Sequence, residues 1–250
     1  MIWVDVQVGL CIRTTRVLLR RVVVKTFMLL CALLLAGLAQ AQSKPQARFM
    51  PVLDGTVASD LGAVGRVNKA GLYDKGSCSG TLIRPDVVLT AGHCAGGINP
   101  LNTHMFVAGW NRGEYIAARK IIKQMPHPAY MIGGRHDPRF DVGLIFLDEP
   151  ITEVAPIPLA PDTSDIVTLA GYHRDIPHLL SGRTDCPIER RDSKVMWIGC
   201  PVVSGNSGGP VLEADSDGNW LVTGVVSSTT GGGAIATRLP EWLYRALDDI

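Results

Sequence analysis

Much of this chain is divided into short apolar or alternating segments, with Gly, Pro and Asn recurring between them. Val, Ile and Thr dominate these segments, and runs of this kind between turn signals are typical of strands in sandwiches and barrels. The segments occupy residues 64–70, 78–84, 86–91, 104–109, 115–123 and 142–147, and then 165–171, 194–199, 210–213, 220–228 and 233–238. The pattern therefore predicts an all-β protein.

The segments fall into two sets, separated by a proline-rich stretch from Glu149 to Asp162. Prolines at this density favour an extended linker. We therefore predict two β units of about 100 residues each, a common domain size, within residues 42–150 and 151–250. The sequence predicts one helix, at the C-terminal end, where Pro240 precedes four apolar residues at helical spacing. These are Trp242, Leu243, Ala246 and Leu247.

Residues 1–41 have the features of a secretory signal peptide. A basic stretch that ends at Lys25 precedes an apolar run over residues 27–38, followed by Ala39-Gln40-Ala41. The run is shorter than the roughly 20 residues that a membrane-spanning helix needs. A buried core helix is the alternative interpretation. We expect cleavage after Ala41, a secreted or periplasmic product, and no membrane association after cleavage.

The charge and the cysteine content exclude some functions. The formal net charge is +1 and there is no basic run, so nothing in the sequence favours nucleic-acid binding. Four cysteines remain after the expected cleavage, and an even number in an exported chain favours two disulfides. They are Cys78, Cys94, Cys186 and Cys200. Zinc binding is the competing interpretation, but no C-x₂-C pair is present, so we expect no metal and no cofactor.

The motif Gly205-Asn206-Ser207-Gly208-Gly209-Pro210 offers a candidate nucleophile. A serine hydroxyl needs a base to take its proton and N–H groups to bind the resulting oxyanion, while glycines allow the backbone to turn sharply. A glycine-rich surface turn is the simpler interpretation. None of the six histidines follows Ser207. An α/β-hydrolase places its histidine after the serine, so the order of residues argues strongly against a lipase or esterase.

A base and an acid for Ser207 must therefore lie earlier in the chain. His93 follows an apolar segment in Leu89-Thr90-Ala91-Gly92-His93-Cys94. Asp141 begins a nearly unbroken apolar run that ends at Leu147, where a charge costs free energy unless it is paired. Of the other nearby carboxylates, Asp137 is a further candidate, whereas Asp148 is predicted to lie in a solvated turn.

Cys78-Ser79-Gly80-Thr81-Leu82-Ile83 and the segment around His93 resemble the chymotrypsin/trypsin-like serine proteases, which usually have alanine where Gly92 stands. The resemblance implies two six-stranded Greek-key β-barrels with a C-terminal helix. It also implies a His93–Asp141–Ser207 triad, with an oxyanion hole formed by the N–H groups of Gly205 and Ser207. We further expect Cys78 to pair with Cys94, and Cys186 with Cys200.

The chain departs from the digestive enzymes of this family beside the nucleophile. Those enzymes have an aspartate that pairs with a newly released N-terminal amine, whereas this chain has the uncharged Asn206. The Ile-Val-Gly-Gly sequence at the mature N-terminus of those enzymes is also missing, and the most similar segment is Ala63-Val64-Gly65. With asparagine at this position, the chain is similar to bacterial secreted members of the family, including glutamyl-endopeptidase-like proteins. We therefore predict that activation through an ion pair is absent.

The residues expected to contact substrate carry no charge. Pro201 aligns with the aspartate that gives trypsin its preference for Lys and Arg, and Val226 stands where glutamyl specificity would require histidine. The resemblance also assigns Ser227 to the strand that supports Asp141, although the family usually has tryptophan where Ser228 stands. The predicted substrate contacts are Pro201, Val202, Ser204, Ser227, Ser228 and Thr229. These residues favour a small or apolar substrate side chain.

The leading interpretation is a secreted, monomeric serine endopeptidase that acts on proteins or peptides. An HtrA-like protease shares the motif around Ser207, but such proteins usually lack these disulfides and carry a further domain, whereas 43 residues follow Ser207. A second alternative is an inactive homologue that serves as a binding module. Inactive homologues normally lose a catalytic residue, and here all three are present.

Overall fold

Twelve strands and few helices make up the described part of the chain, which confirms the all-β prediction. In this computed structural model the described residues are 49–74, 78–96, 103–130 and 136–250, so the predicted signal peptide lies outside them. The strands are β1 Val64–Asn68, β2 Cys78–Arg84, β3 Val87–Thr90, β4 Met105–Ala108, β5 Ala117–Pro126, β6 Gly143–Leu147, β7 Ile166–His173, β8 Ile176–Arg191, β9 Val195–Ile198, β10 Pro210–Ala214, β11 Trp220–Thr229 and β12 Ala234–Arg238. The helices are α1 Gly55–Asp60, α2 Gly92–Ala95 and α3 Glu241–Asp248, with a 3₁₀ turn over Pro128–Tyr130.

The strands close into two antiparallel barrels of six strands each. The first barrel has the order β1-β2-β3-β6-β5-β4, and the second has the order β10-β11-β12-β9-β8-β7. Each barrel closes on itself through a ladder between distant strands, which removes exposed sheet edges. This architecture is the chymotrypsin-like fold that the resemblance implies.

Apolar side chains on the strands form the barrel cores. In β2 the first six residues are buried and only Arg84 is partly exposed. Leu82, Phe106 and Leu144 are fully buried in the cluster of the first barrel, while Leu169 and Met196 are fully buried in that of the second. Each such side chain contributes roughly 1.5–3 kcal/mol through removal of apolar surface from water. The cores therefore hold the loops between strands in fixed positions.

Strand β8, from Ile176 to Arg191, is the one strand of the twelve for which no segment was predicted. It contains Pro177 and Pro187, and its charged residues interrupt the alternation of apolar and polar positions. Its pairing with β9 also shifts register between Ile188 and Arg190. Pairing with β7 and β9 holds this segment extended although its local sequence does not predict a strand.

Residues 49–53 precede the first predicted segment but pack on the second barrel. The N–H of Leu53 donates to the carbonyl of Leu180 at 3.0 Å, and the N–H of Gly182 donates to the carbonyl of Pro51 at 2.9 Å. The Met50 side chain is fully buried in the core cluster of the second barrel. This segment leads into α1, which begins after the Asp54 N-cap and was not predicted from the sequence.

The predicted C-terminal helix is confirmed and packs on the first barrel. It begins after Pro240, and Leu243, Ala246 and Leu247 are its buried residues. All three belong to the core cluster that contains the first-barrel strands. The Arg84 guanidinium donates to the carbonyl of Leu247 at 2.6 Å. The end of the chain therefore stabilises the barrel formed by its earlier residues.

Both predicted disulfides are present. Cys78 is bonded to Cys94 and Cys186 to Cys200, across sequence separations of 16 and 14 residues. Closing a loop of about 15 residues contributes on the order of 3 kcal/mol by restricting the unfolded chain. The first bond joins β2 to α2. Within the described ranges, no helix is long and apolar enough to cross a membrane.

Candidate active site

A cavity of about 360 Å³ brings together most of the residues predicted to form the site. His93 and Ser207 both line it, as do five of the six predicted substrate contacts, all except Pro201. The full lining consists of His93, His136, Val202, Val203, Ser204, Ser207, Val226, Ser227, Ser228 and Thr229. Asp141, Gly205 and Pro201 are buried and do not line the cavity.

His93 and Asp141 meet because they flank paired strands. His93 lies in α2, directly after β3, and Asp141 lies just before β6, which is antiparallel to β3. His93 Nδ1 lies 2.9 Å from Asp141 Oδ2 and 3.1 Å from Oδ1, and the His93 backbone N–H donates to Oδ1 at 2.8 Å. These contacts from two nitrogens of His93 to one carboxylate fix the position and orientation of the imidazole.

Asp141 is fully buried, so its charge needs partners within the protein. Besides the two donors of His93, the Ser227 hydroxyl donates to Oδ2 at 2.6 Å. Hydrogen bonds to an ionised acceptor are short and strong, and they offset the cost of removing the carboxylate from water. Ser227 lies in β11 of the second barrel, so this bond joins the two barrels behind the cavity.

The loop before Ser207 is held by Asn206, whose side chain is fully buried. The Asn206 Oδ1 accepts from the N–H of Val203 at 2.9 Å, and its Nδ2 donates to the carbonyl of Tyr172 at 3.2 Å. Both ends of the side-chain amide are therefore used within the second barrel. Among the described residues, no acceptor binds the backbone N–H of Gly205 or of Ser207, so both remain available to an incoming anion.

Ser79 is an important residue that the sequence reasoning did not single out. Its N–H donates to the carbonyl of Ser207 at 2.8 Å, and its hydroxyl donates to the carbonyl of Gly205 at 2.8 Å. The same hydroxyl accepts from the N–H of Tyr172 at 2.8 Å. Ser79 is fully buried in β2, next to the Cys78–Cys94 bond. It therefore holds the loop that carries Ser207, in the second barrel, against the first barrel.

The part of the cavity near Ser207 is apolar, with hydroxyl groups at its rim. Val202 and Val226 are buried, whereas Ser204 and Thr229 are exposed. The Ser204 hydroxyl accepts a hydrogen bond from Arg174 at 2.9 Å. No carboxylate is among the described residues that line this cavity.

His136 also lines the cavity, although nothing in its sequence pattern marked it. Its Nε2 lies 3.2 Å from the Ser227 Oγ, and its Nδ1 lies 3.7 Å from Asp141 Oδ2. The His136 ring contacts the His93 ring edge-on, with 5.4 Å between ring centroids. The Tyr130 ring lies 6.1 Å away on another side, and burial, together with the charge of Asp141, raises the pKa of Tyr130.

Gly208 is expected to tolerate no side chain, because it lies in the left-handed region at φ +82° against two atoms of the first barrel. A Cβ there would collide with Thr90 Oγ1 and the carbonyl oxygen of Ser79. We expect Gly208→Ala to lower the free energy of unfolding by about 1–2 kcal/mol for the backbone conformation, plus roughly 1–3 kcal/mol for the collision. Urea denaturation measures the loss.

Gly218 provides a matched control for that substitution. Its φ is +85°, but no atom lies within 4 Å of a Cβ built there. Gly218→Ala should therefore lose only the backbone contribution of about 1–2 kcal/mol. Equal losses in the two variants would contradict the close packing of Gly208 against the first barrel.

Comparison with known protein families matches residues 78–225 to the trypsin-like peptidase domain. The match covers more than half of the chain and includes β2 through most of β11, and thus His93, Asp141 and Ser207. A search of curated proteins found no match. The domain match and the two six-stranded barrels agree with the resemblance drawn from the residues around Cys78 and His93, and the chain belongs to the trypsin-like peptidase domain family.

Proposed function

We propose that this protein is a secreted serine endopeptidase in which His93, Asp141 and Ser207 form the catalytic triad. The observation that carries the proposal is the buried Asp141 carboxylate, which holds both the N–H and the Nδ1 of His93 beside a cavity that Ser207 also lines. A serine, a histidine and a buried aspartate in this arrangement support nucleophilic acyl transfer.

In the proposed reaction, Ser207 Oγ attacks the carbonyl carbon of a peptide bond and its proton passes to His93 Nε2. The Asp141 carboxylate keeps the proton of His93 on Nδ1 and stabilises the imidazolium that forms. The N–H groups of Gly205 and Ser207 bind the oxyanion, at roughly 3 kcal/mol per donor in comparable sites. His93 then protonates the leaving amine, and water hydrolyses the acyl-enzyme by the same route.

The proposed specificity is for a small or apolar side chain before the scissile bond. Val202 and Val226 give the cavity an apolar wall, and a Lys or Arg side chain would lose its hydration there without a carboxylate to pair with. We assign Ser227, Ser228 and Thr229, at the end of β11, to contacts with the substrate. The backbone groups of these residues suit an extended peptide, whereas the Ser227 hydroxyl is held by Asp141.

Export is proposed from two observations. Disulfides form and persist in oxidising compartments, and this chain has two. The basic and apolar pattern of residues 1–41 supports a cleaved signal, so the mature chain would act outside the cytoplasm. We also propose that it acts as a monomer. Asn206, with its internal hydrogen bonds, supports a similarity to bacterial secreted members such as the glutamyl-endopeptidase-like proteins.

Cleavage of a peptide library by the mature protein, beginning at Gln42, tests the proposal. We expect hydrolysis after small or apolar residues, with no cleavage after Lys or Arg above that of the Ser207→Ala control. A folded protein without any cleavage would favour the inactive binding module. Cleavage after basic residues would contradict the proposed pocket but not the triad.

We expect the proposed activity to be independent of a free N-terminal amine. Asn206 uses both of its polar atoms within the second barrel, and Met50 and Leu53 hold the N-terminal segment through apolar and backbone contacts. An extension of a few Gly and Ser residues before Gln42 should change kcat/KM by less than about twofold, or under roughly 0.5 kcal/mol.

A different result is expected if a newly released N-terminal amine activates the protein. If cleavage that exposed a new amine between residues 42 and 66 raised activity sharply, and Asn206→Ala abolished the gain, the amine would be acting on the loop that carries Ser207. The prediction that activity does not depend on a free N-terminal amine would then be wrong.

A further inference from the structure

Three groups with metal-binding chemistry converge at one end of the cavity. One ring nitrogen of His93, one of His136 and one carboxylate oxygen of Asp141 all lie within 4.8 Å of one another. The individual distances to Asp141 Oδ2 are 2.9 Å from His93 Nδ1 and 3.7 Å from His136 Nδ1. The three groups come from two different segments of the first barrel, and the fold holds them together.

Their spacing and chemistry suit a zinc ion. Zinc binds imidazole nitrogen and carboxylate oxygen at about 2.0–2.2 Å in tetrahedral geometry, which places ligand atoms roughly 3.3–3.6 Å apart. The His93–Asp141 and His136–Asp141 distances lie on either side of that separation, so small side-chain rotations would make both compatible. A fourth position would be left for water.

An ion can also reach this position from solvent. The side chains of His93 and His136 are 30% and 40% exposed, while that of Asp141 is fully buried. The buried carboxylate supplies negative charge, and its Oδ1 would keep the hydrogen bond from the His93 backbone N–H. Among the described residues, Cys78, His93 and Cys94 also bring possible ligand atoms together, but the two cysteines are joined in a disulfide and offer no thiolate.

We propose that Zn²⁺ binds His93, His136 and Asp141 reversibly and inhibits the protein. The ion takes the place of the proton on His93 Nδ1, and that proton moves to Nε2, because a neutral imidazole that binds a metal through one nitrogen carries its proton on the other. A His93 ring bound to zinc and no longer hydrogen-bonded to Asp141 does not accept a proton from Ser207. The ion is therefore an inhibitor and not a cofactor. The binding site stands on its geometry, whereas the inhibition rests on the proposed function.

Direct binding is tested in the Ser207→Ala protein, where no turnover is needed. Isothermal titration calorimetry with Zn²⁺ should give one saturable site. Adding His136→Gln should weaken binding by at least about tenfold. Removal of a group that only hydrogen-bonds to a metal ligand typically costs roughly 10–100-fold in affinity, and loss of a ligand itself should cost no less. His178→Gln is the control, since His178 is exposed and lies beside Trp110, at another part of the surface.

A second measurement needs no change at His136. Co²⁺ accepts similar ligands, and its visible absorption in the Ser207→Ala protein should show a tetrahedral site with nitrogen and oxygen ligands, which Zn²⁺ then displaces. No tetrahedral spectrum and no saturable Zn²⁺ binding would overturn the proposal, as would unchanged Zn²⁺ affinity in the His136→Gln variant.

Inhibition is measured on the protein with Ser207 intact. The Zn²⁺ concentration that halves the rate should rise by at least about tenfold in His136→Gln, measured relative to that variant's own zinc-free rate. His178→Gln should leave it unchanged. Zinc binding without any peptide hydrolysis would refute the proposed function alone, whereas hydrolysis that zinc inhibits equally in both variants would refute the zinc site alone.

Discussion

His93→Ala is expected to lower kcat for peptide hydrolysis by about a millionfold, which is the scale of loss when the base of such a triad is removed. Without the His93 imidazole, Ser207 loses the proposed base for its proton, and the leaving amine loses its proposed proton donor. Asp141 would also lose the two donors that His93 supplies, so part of the buried charge would become unpaired. Steady-state hydrolysis of the best library peptide measures the change.

His178→Ala is the control for that variant. The His178 side chain is exposed, and the hydrogen bond that His178 accepts from Arg112 is made by its backbone carbonyl, which the substitution keeps. We expect its kcat to match that of the unmodified protein. A His93→Ala protein that folded and kept most of its activity would refute His93 as the base.

Asp141→Asn is expected to lower kcat by about ten thousandfold, because the amide favours the wrong tautomer of His93. Three donors converge on the Asp141 carboxylate, namely the backbone N–H of His93, its Nδ1–H and the Ser227 hydroxyl. An amide offers one acceptor oxygen and one NH₂ donor, so at least one of these hydrogen bonds becomes a contact between two donors. KM should change much less than kcat.

Asp148→Asn is the matched control. Asp148 lies at the other end of β6, is exposed, and accepts a hydrogen bond from the backbone N–H of Lys120 at 2.8 Å. An asparagine oxygen can accept the same bond, so kcat should not change. Equal losses in the two variants would show that a general loss of structure, and not the orientation of His93, lowers the rate.

The residues that meet in the cavity could be predicted from the sequence where their own segment carried a clear pattern. Asp141 directly precedes an apolar strand, and His93 follows another next to a cysteine, so the local sequence pattern marks both residues. The apolar and alternating segments of the sequence also predicted eleven of the twelve barrel strands. In these places local sequence and tertiary structure agree, which is what a funnelled folding landscape requires.

The remaining features depend on contacts distant in sequence. Strand β8 is held extended by its neighbours despite two prolines, and Met50 is buried in a barrel whose strands begin more than a hundred residues later. Ser79 and His136 act on the site through hydrogen bonds to Gly205 and Ser227. No local pattern marks such partners, because their effect arises only when the two barrels meet.

The central claim is that Ser207 is an activated nucleophile, and labelling with a fluorophosphonate tests it most directly. The mature, folded protein should form a covalent adduct that mass spectrometry of peptides places on Ser207. The adduct should be absent in Ser207→Ala and strongly reduced in His93→Ala. A folded protein that forms no adduct, or forms it on another residue, would contradict the account.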